Sequence, residues 1–116
     1  MPHVLIIEDE PLIAMELESI LADEGGTSFS FADSEDAAIV AALAQPPALI
    51  TSDVKLLSGT GPHAVKTIHE KLGPIPVIFI TATPDACRPC NPPGVILRKP
   101  IDRAEVAAAF CELCPI

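Results

Sequence analysis

Residues 4–11 read Val-Leu-Ile-Ile-Glu-Asp-Glu-Pro, and this stretch decides the fold. His3 to Ile7 is a short β-branched run with strand character, and three consecutive acids close it. Pro11 then stands where a helix can begin, because the first helical position has no use for an N–H. Ile13, Leu17, Ile20 and Leu21 fall on one face of that helix until Gly25-Gly26 stops it. An apolar strand followed by an amphipathic helix is half of a β-α-β unit, and the chain continues the alternation.

Ser28-Phe29-Ser30-Phe31 alternates polar and apolar, which suits a second strand with one wet face. Ser34 can cap a second helix with Glu35 and Asp36 in its first turn, where they complement the helix dipole, and Pro46-Pro47 ends it. Ala48 to Thr51 is a third, continuously apolar strand. A glycine-bearing loop, Leu57 to Gly61, leads to a helix with Val65, Ile68 and Leu72 on one face. Val77 to Ile80 and Val95 to Leu97 supply the fourth and fifth strands. Asp102 and Glu105 open a last helix at capping-box spacing, with Val106, Phe110 and Leu113 turned inward.

Alternating strands and helices predict an α/β fold, a doubly wound parallel sheet with helices on both faces. Strands one, three and four are apolar throughout, as interior parallel strands are, whereas strand two alternates as an edge strand does. The predicted strand order is therefore 2-1-3-4-5, the flavodoxin-like arrangement. Ligands of such sheets bind beyond the carboxyl ends of the strands at the switch point, here between strands one and three.

Composition narrows the function. At 116 residues the chain is read as one domain over 1–116, with no linker, repeat or output domain. Sixteen acids against seven Lys and Arg give a formal charge of −9, which argues against direct binding to nucleic acid. The longest apolar run, Ala37 to Ala44, is far shorter than the roughly 20 residues of a membrane span. No basic segment precedes the first apolar run, so no signal peptide is read and a cytoplasmic location with reduced cysteines is expected.

At the predicted switch point stand Glu8 and Asp9 after strand one and Asp53 after strand three. Grouped like charges destabilise a fold unless a cation joins them, and carboxylate oxygens in this number suit a hard ion that keeps some waters, Mg²⁺. Thr81 at the end of strand four offers a hydroxyl. Lys99 after strand five offers an ammonium, a point-charge partner for phosphate.

Glu8-Asp9, Asp53 after an apolar strand, Gly61 eight positions later, Thr81-Ala82 and Lys99-Pro100 together resemble the receiver domain of bacterial two-component response regulators. The likeness covers essentially the whole chain. The stretches Val4 to Met15 (VLIIEDEPLIAM) and Pro76 to Pro84 (PVIFITATP) look closer still to receivers of the alphaproteobacterial general stress response. The resemblance implies that Asp53 takes a phosphoryl group from a histidine kinase or phosphotransferase. It also implies Mg²⁺ held by Asp9 and Asp53, by Glu8 through water, and by the backbone carbonyl of Lys55. Lys99 would pair with the phosphoryl group, Thr81 and the Ala82 amide would hydrogen-bond it, and Lys99-Pro100 would be a cis peptide. Apart from gaining and slowly losing that group, such a chain is not an enzyme; it signals by binding another protein.

Several positions depart from the family pattern. Only Ala82 to Pro93 join strands four and five, with prolines at 84, 89, 92 and 93, so the fourth helix of the family is expected to be missing or reduced to one turn. Ile96 stands where many members carry a switching Tyr or Phe, and Ile101 replaces a frequent Phe. Both put the usual output face in question. Lys55 brings a second ammonium close to Asp53 and is expected to slow attack of water on the phosphorylated state.

Two other readings compete. A receiver-like interaction module that is never phosphorylated would not need the full set of acids, Thr81 and Lys99. A Mg²⁺-dependent aspartyl phosphatase commonly carries a second Asp two positions after its nucleophile, where this chain has Lys55. Cys87-x-x-Cys90 and Cys111-x-x-Cys114 match the outline of a four-cysteine zinc site. One pair lies in a proline-rich connector and the other in a patterned helix, so small apolar fillers are the preferred reading, and a zinc measurement decides. His3, His63 and His69 have no acid or cysteine at ligand spacing and are read as surface or helix residues.

Overall fold

The computed structural model describes residues 3–82 and 95–113. Five parallel strands, β1 (His3–Ile7), β2 (Ser28–Ala32), β3 (Leu49–Ser52), β4 (Val77–Thr81) and β5 (Val95–Arg98), form one sheet in the order β2-β1-β3-β4-β5. Four helices are described: α1 (Pro11–Asp23), α2 (Glu35–Ala44), α3 (Gly61–Leu72) and α4 (Arg103–Leu113). The predicted α/β class and strand order are both present. Strand ends move by a residue: β3 is one step later than expected, and β4 and β5 each run one step further.

Alternation along the interior strands splits the core in two. Val4, Ile6, Leu49, Ile78 and Ile80 face Leu17, Ile20 and Leu21 of α1 and Val106 and Phe110 of α4. Leu5, Ile7, Ile50, Val77 and Phe79 face Ala38 and Ala42 of α2 and Val65 and Ile68 of α3. Each such fully buried aliphatic side chain contributes about 2 kcal/mol, so the two layers hold the sheet rigid beneath its carboxyl edge.

Capping fixes where the helices start. Ser34 Oγ accepts from the Ala37 amide, as expected, and Thr60 Oγ1 does the same for His63. Asp102 Oδ1 accepts from the amides of Ala104 and Glu105 at 2.9 and 3.2 Å, which starts α4 at the predicted place.

Histidine placement differs from expectation. His3 is buried in β1, with Nδ1 2.7 Å from Ser28 Oγ and Nε2 2.8 Å from Ser30 Oγ, so the polar face of the edge strand is met by an imidazole. Burial lowers the His3 pKa and favours the neutral ring. His69 clamps the end of α3 to the backbone of Ile75. Cys111 is exposed, its thiol 3.5 Å from Glu24 Oε1, rather than a core filler. Cys87, Cys90, Cys114 and the expected reduction of the helix before β5 lie outside the described residues. Among the described residues no helix is long and apolar enough to cross a membrane.

Candidate functional site

The sheet itself places the site residues. Glu8, Asp53 and Lys99 each continue the strand ladder one step past its end: the Glu8 amide donates to Ala32 O at 2.8 Å, Asp53 to Ile7 O at 2.9 Å and Lys99 to Thr81 O at 2.9 Å. Their side chains therefore emerge together at the carboxyl edge, at the junction of β1 and β3. Thr81 is buried at the end of β4 on the same edge, and Ala82 follows it.

Lys99 organises the cluster. Its Nζ lies 3.0 Å from Asp53 Oδ2, 3.2 Å from Glu8 Oε1 and 3.8 Å from Glu10 Oε1. Asp53 Oδ1 accepts from the Val54 amide at 2.7 Å, so both oxygens of that carboxylate are held. Burial works against the Lys99 ammonium, but the Asp53 hydrogen bond and the charges of Glu8 and Asp53 outweigh it and raise its pKa. Burial pushes Glu8 up to about 7; the Lys99 charge pulls it down and the Asp53 charge adds to the rise. A carboxylate this deep, beside another acid, is a site short of positive charge.

The geometry also adds a member. Oxygens of Glu8, Asp9 and Glu10 lie within 4.8 Å of one another, an arrangement that could hold a metal ion, and the Glu10 amide donates to Glu8 Oε2 at 3.2 Å. Its place in the acidic run is the one sequence signal that marks Glu10. Asp53 stands beside this group, joined to Glu8 through Lys99. An all-carboxylate donor set with a buried member of raised pKa fits a hard divalent cation. Lys55 is exposed in the loop after β3 and bridges antiparallel to Thr60.

A close backbone approach supports Asp53. The amide of Gly61 donates to Val54 O at 2.8 Å, and the glycine lies against the Asp53 carbonyl with no room for a side chain. Lys99-Pro100 is a cis peptide. Of the departures from the family pattern, Ile96 sits on β5 partly open to solvent, and Ile101 is partly buried against the core layer that includes α1 and α4.

A sequence model of the response regulator receiver domain matches residues 4–110. This chain belongs to the response regulator receiver domain family. The receiver is 37% identical to the phyllosphere-induced regulator PhyR of Methylorubrum extorquens over 116 residues, covering 95% of this chain and 42% of that protein. Among solved structures it is similar to the PhyR receiver domain of Erythrobacter litoralis, with a TM-score of 0.87 and 32% identity over 97% of this chain and 88% of that one. It is also similar to the anti-anti-sigma factor PhyR of Bartonella quintana, with a TM-score of 0.81 and 34% identity over 97% of this chain and 46% of that one. The receiver thus spans less than half the length of the full regulators it matches, and the likeness to general stress-response receivers agrees with these relatives.

Proposed function

We propose that this receiver is a phosphoacceptor switch in which Asp53 takes a phosphoryl group from a phosphohistidine of a kinase or phosphotransferase. One observation carries the reading: the Asp53 carboxylate is held at the sheet edge by Lys99 and the Val54 amide, with the Glu8, Asp9 and Glu10 carboxylates beside it. In the transfer, an Asp53 oxygen forms a bond to phosphorus while the bond from phosphorus to the donor imidazole nitrogen breaks. The imidazole leaves and an acyl phosphate remains. Such transfers need alignment and neutralisation of oxygen charge more than covalent help.

The chain's own residues fit those needs. Lys99 is close enough to exchange a carboxylate oxygen of Asp53 for a phosphoryl oxygen, and Thr81 and the Ala82 amide stand on the same edge to hydrogen-bond the group. Glu8, Asp9 and Asp53, with the Lys55 carbonyl, are the proposed ligands of Mg²⁺, and Glu10 joins them at the rim. Bound there, the ion supplies positive charge to the phosphoryl oxygens. Turnover is limited to gaining and slowly losing one group, and the output is a protein–protein contact. Because the Bartonella relative is named an anti-anti-sigma factor, an anti-sigma factor is the proposed class of output partner for the regulator to which this domain corresponds.

Incubation with Mg²⁺ and acetyl phosphate followed by intact-mass measurement tests the reading. A single phosphoryl adduct that Asp53→Asn abolishes is the expected result. Rapid multiple turnover would show a phosphatase instead, and no adduct would show an interaction module.

A further inference from the structure

Glu35, the first residue of α2, does more than complement a helix dipole. Its amide donates to Ser58 O at 3.0 Å, its Oε1 accepts from the Thr60 amide at 3.2 Å, and its Oε2 meets His63 Nδ1. Gly59, at φ +81°, passes so close that a Cβ there would lie 2.4 Å from Glu35 Oε1 and 2.5 Å from Glu35 Cβ. One acid therefore grips the main chain at Ser58 and Thr60 and the His63 ring. Glu35 is in turn fixed by the Ser34 cap that starts its helix.

The gripped segment is the far side of the loop that leaves Asp53. Thr60 bridges back to Lys55, the Leu56 amide donates to Gly59 O at 3.4 Å, and the Gly61 amide closes on Val54 O. Lys55 is thus joined through Thr60 to Glu35, while its other neighbours run directly to the phosphoacceptor. Such a loop, without an anchor, would be among the least stable parts of the fold, because it buries little apolar surface.

We propose that Glu35 is a positioning residue for the metal site, holding the loop so that the Lys55 carbonyl is pre-set for Mg²⁺. The inference rests on the phosphoacceptor reading above. Groups that orient a ligand from outside the coordination sphere commonly matter about tenfold or more in metal affinity.

Calorimetric titration of the full chain with Mg²⁺ alone tests it, at fixed pH and ionic strength. Glu35→Ala is expected to weaken Mg²⁺ binding about tenfold, while the adduct yield from acetyl phosphate recovers when Mg²⁺ is raised to saturation. Glu35→Gln keeps an acceptor for the Thr60 amide and is expected to restore most of the affinity. A merely structural role would lower the melting temperature and leave the Mg²⁺ affinity of the folded protein unchanged, which overturns the proposal. His63→Ala and Glu35→Ser remove part of the grip and report the same quantity if Glu35→Ala does not fold. Wild-type protein that neither binds Mg²⁺ nor accepts phosphate would sink the phosphoacceptor reading, and this inference with it; wild-type binding with unaltered variants sinks this inference alone.

Discussion

A Cβ on Gly61 would lie 1.8 Å from the carbonyl oxygen of Asp53 and 2.2 Å from the Ser52 hydroxyl. The first residue of α3 is therefore pressed against the backbone of Asp53, the proposed phosphoacceptor, and the nearest atom it would strike is a main-chain oxygen that no side-chain rotation can move away. Gly61→Ala is expected to cost about 3 kcal/mol or more, since overpacked sites shift the backbone instead of absorbing the methyl. Urea unfolding measures the loss. The same variant should lose most of its acetyl phosphate adduct, because Asp53 moves with its carbonyl.

Glu8 makes metal-free stability depend on pH. Its folded pKa of about 7 lies above the ordinary carboxylate value, so the folded state holds a proton that the unfolded chain has released. The stabilisation from that proton is complete below about pH 4.5 and is lost as pH rises through 7. In the absence of divalent ions, Glu8→Gln should gain on the wild type by on the order of 1–3 kcal/mol between pH 5 and 8. Thermal melts of the two proteins across that range check it, and a constant difference would count against the buried-acid account.

His3 has the opposite sign. Its pKa is lowered from 6.5 by burial, so the unfolded chain takes up the proton more readily. The stability it contributes is present above pH 6.5 and fades as pH falls below that value. His3→Ala leaves the Ser28 and Ser30 hydroxyls without their ring partner and is expected to cost about 1–3 kcal/mol at pH 7.5. The penalty should shrink at pH 5, measured by denaturant unfolding at both pH values.

Lys55 is predicted to lengthen the phosphorylated lifetime. It is exposed two positions past Asp53, where an ammonium can occupy the approach of an attacking water. Lys55→Ala should lose its phosphoryl group several-fold faster than wild type, followed by intact mass after removal of the phosphodonor. An unchanged rate discards that role.

Much of the site was legible because a strand's end is encoded locally. Apolar runs closed by Glu8, Asp53 and Lys99 mark where each chain segment leaves the sheet, and an edge strand betrays itself by alternation, as Ser28 to Phe31 did. Grouping those ends needs only the strand order, which the same patterns supply. The buried place of His3 is not legible in the sequence, because its partners, Ser28 and Ser30, belong to a strand brought alongside by pairing and not by spacing. Glu10 is not legible as a member of the site, because nothing in an acidic run tells its third residue from the others until the distances to Glu8, Asp9 and Lys99 are known.

The amino-acid pattern by itself determined the layers, the strand order and the edge at which chemistry collects, because burial and hydrogen bonding are dictated by periods of two and 3.6 residues. Only tertiary structure decided which carboxylates share the Lys99 ammonium, how far Glu8 is driven toward its neutral form, and that Glu35 holds the loop beyond Asp53. Those contacts join residues far apart in sequence, Glu8 near the start of the chain and Lys99 near its end among them. Their strength depends on distances of a few tenths of an ångström and on how much water is excluded, quantities that exist only once the sheet has brought the segments together.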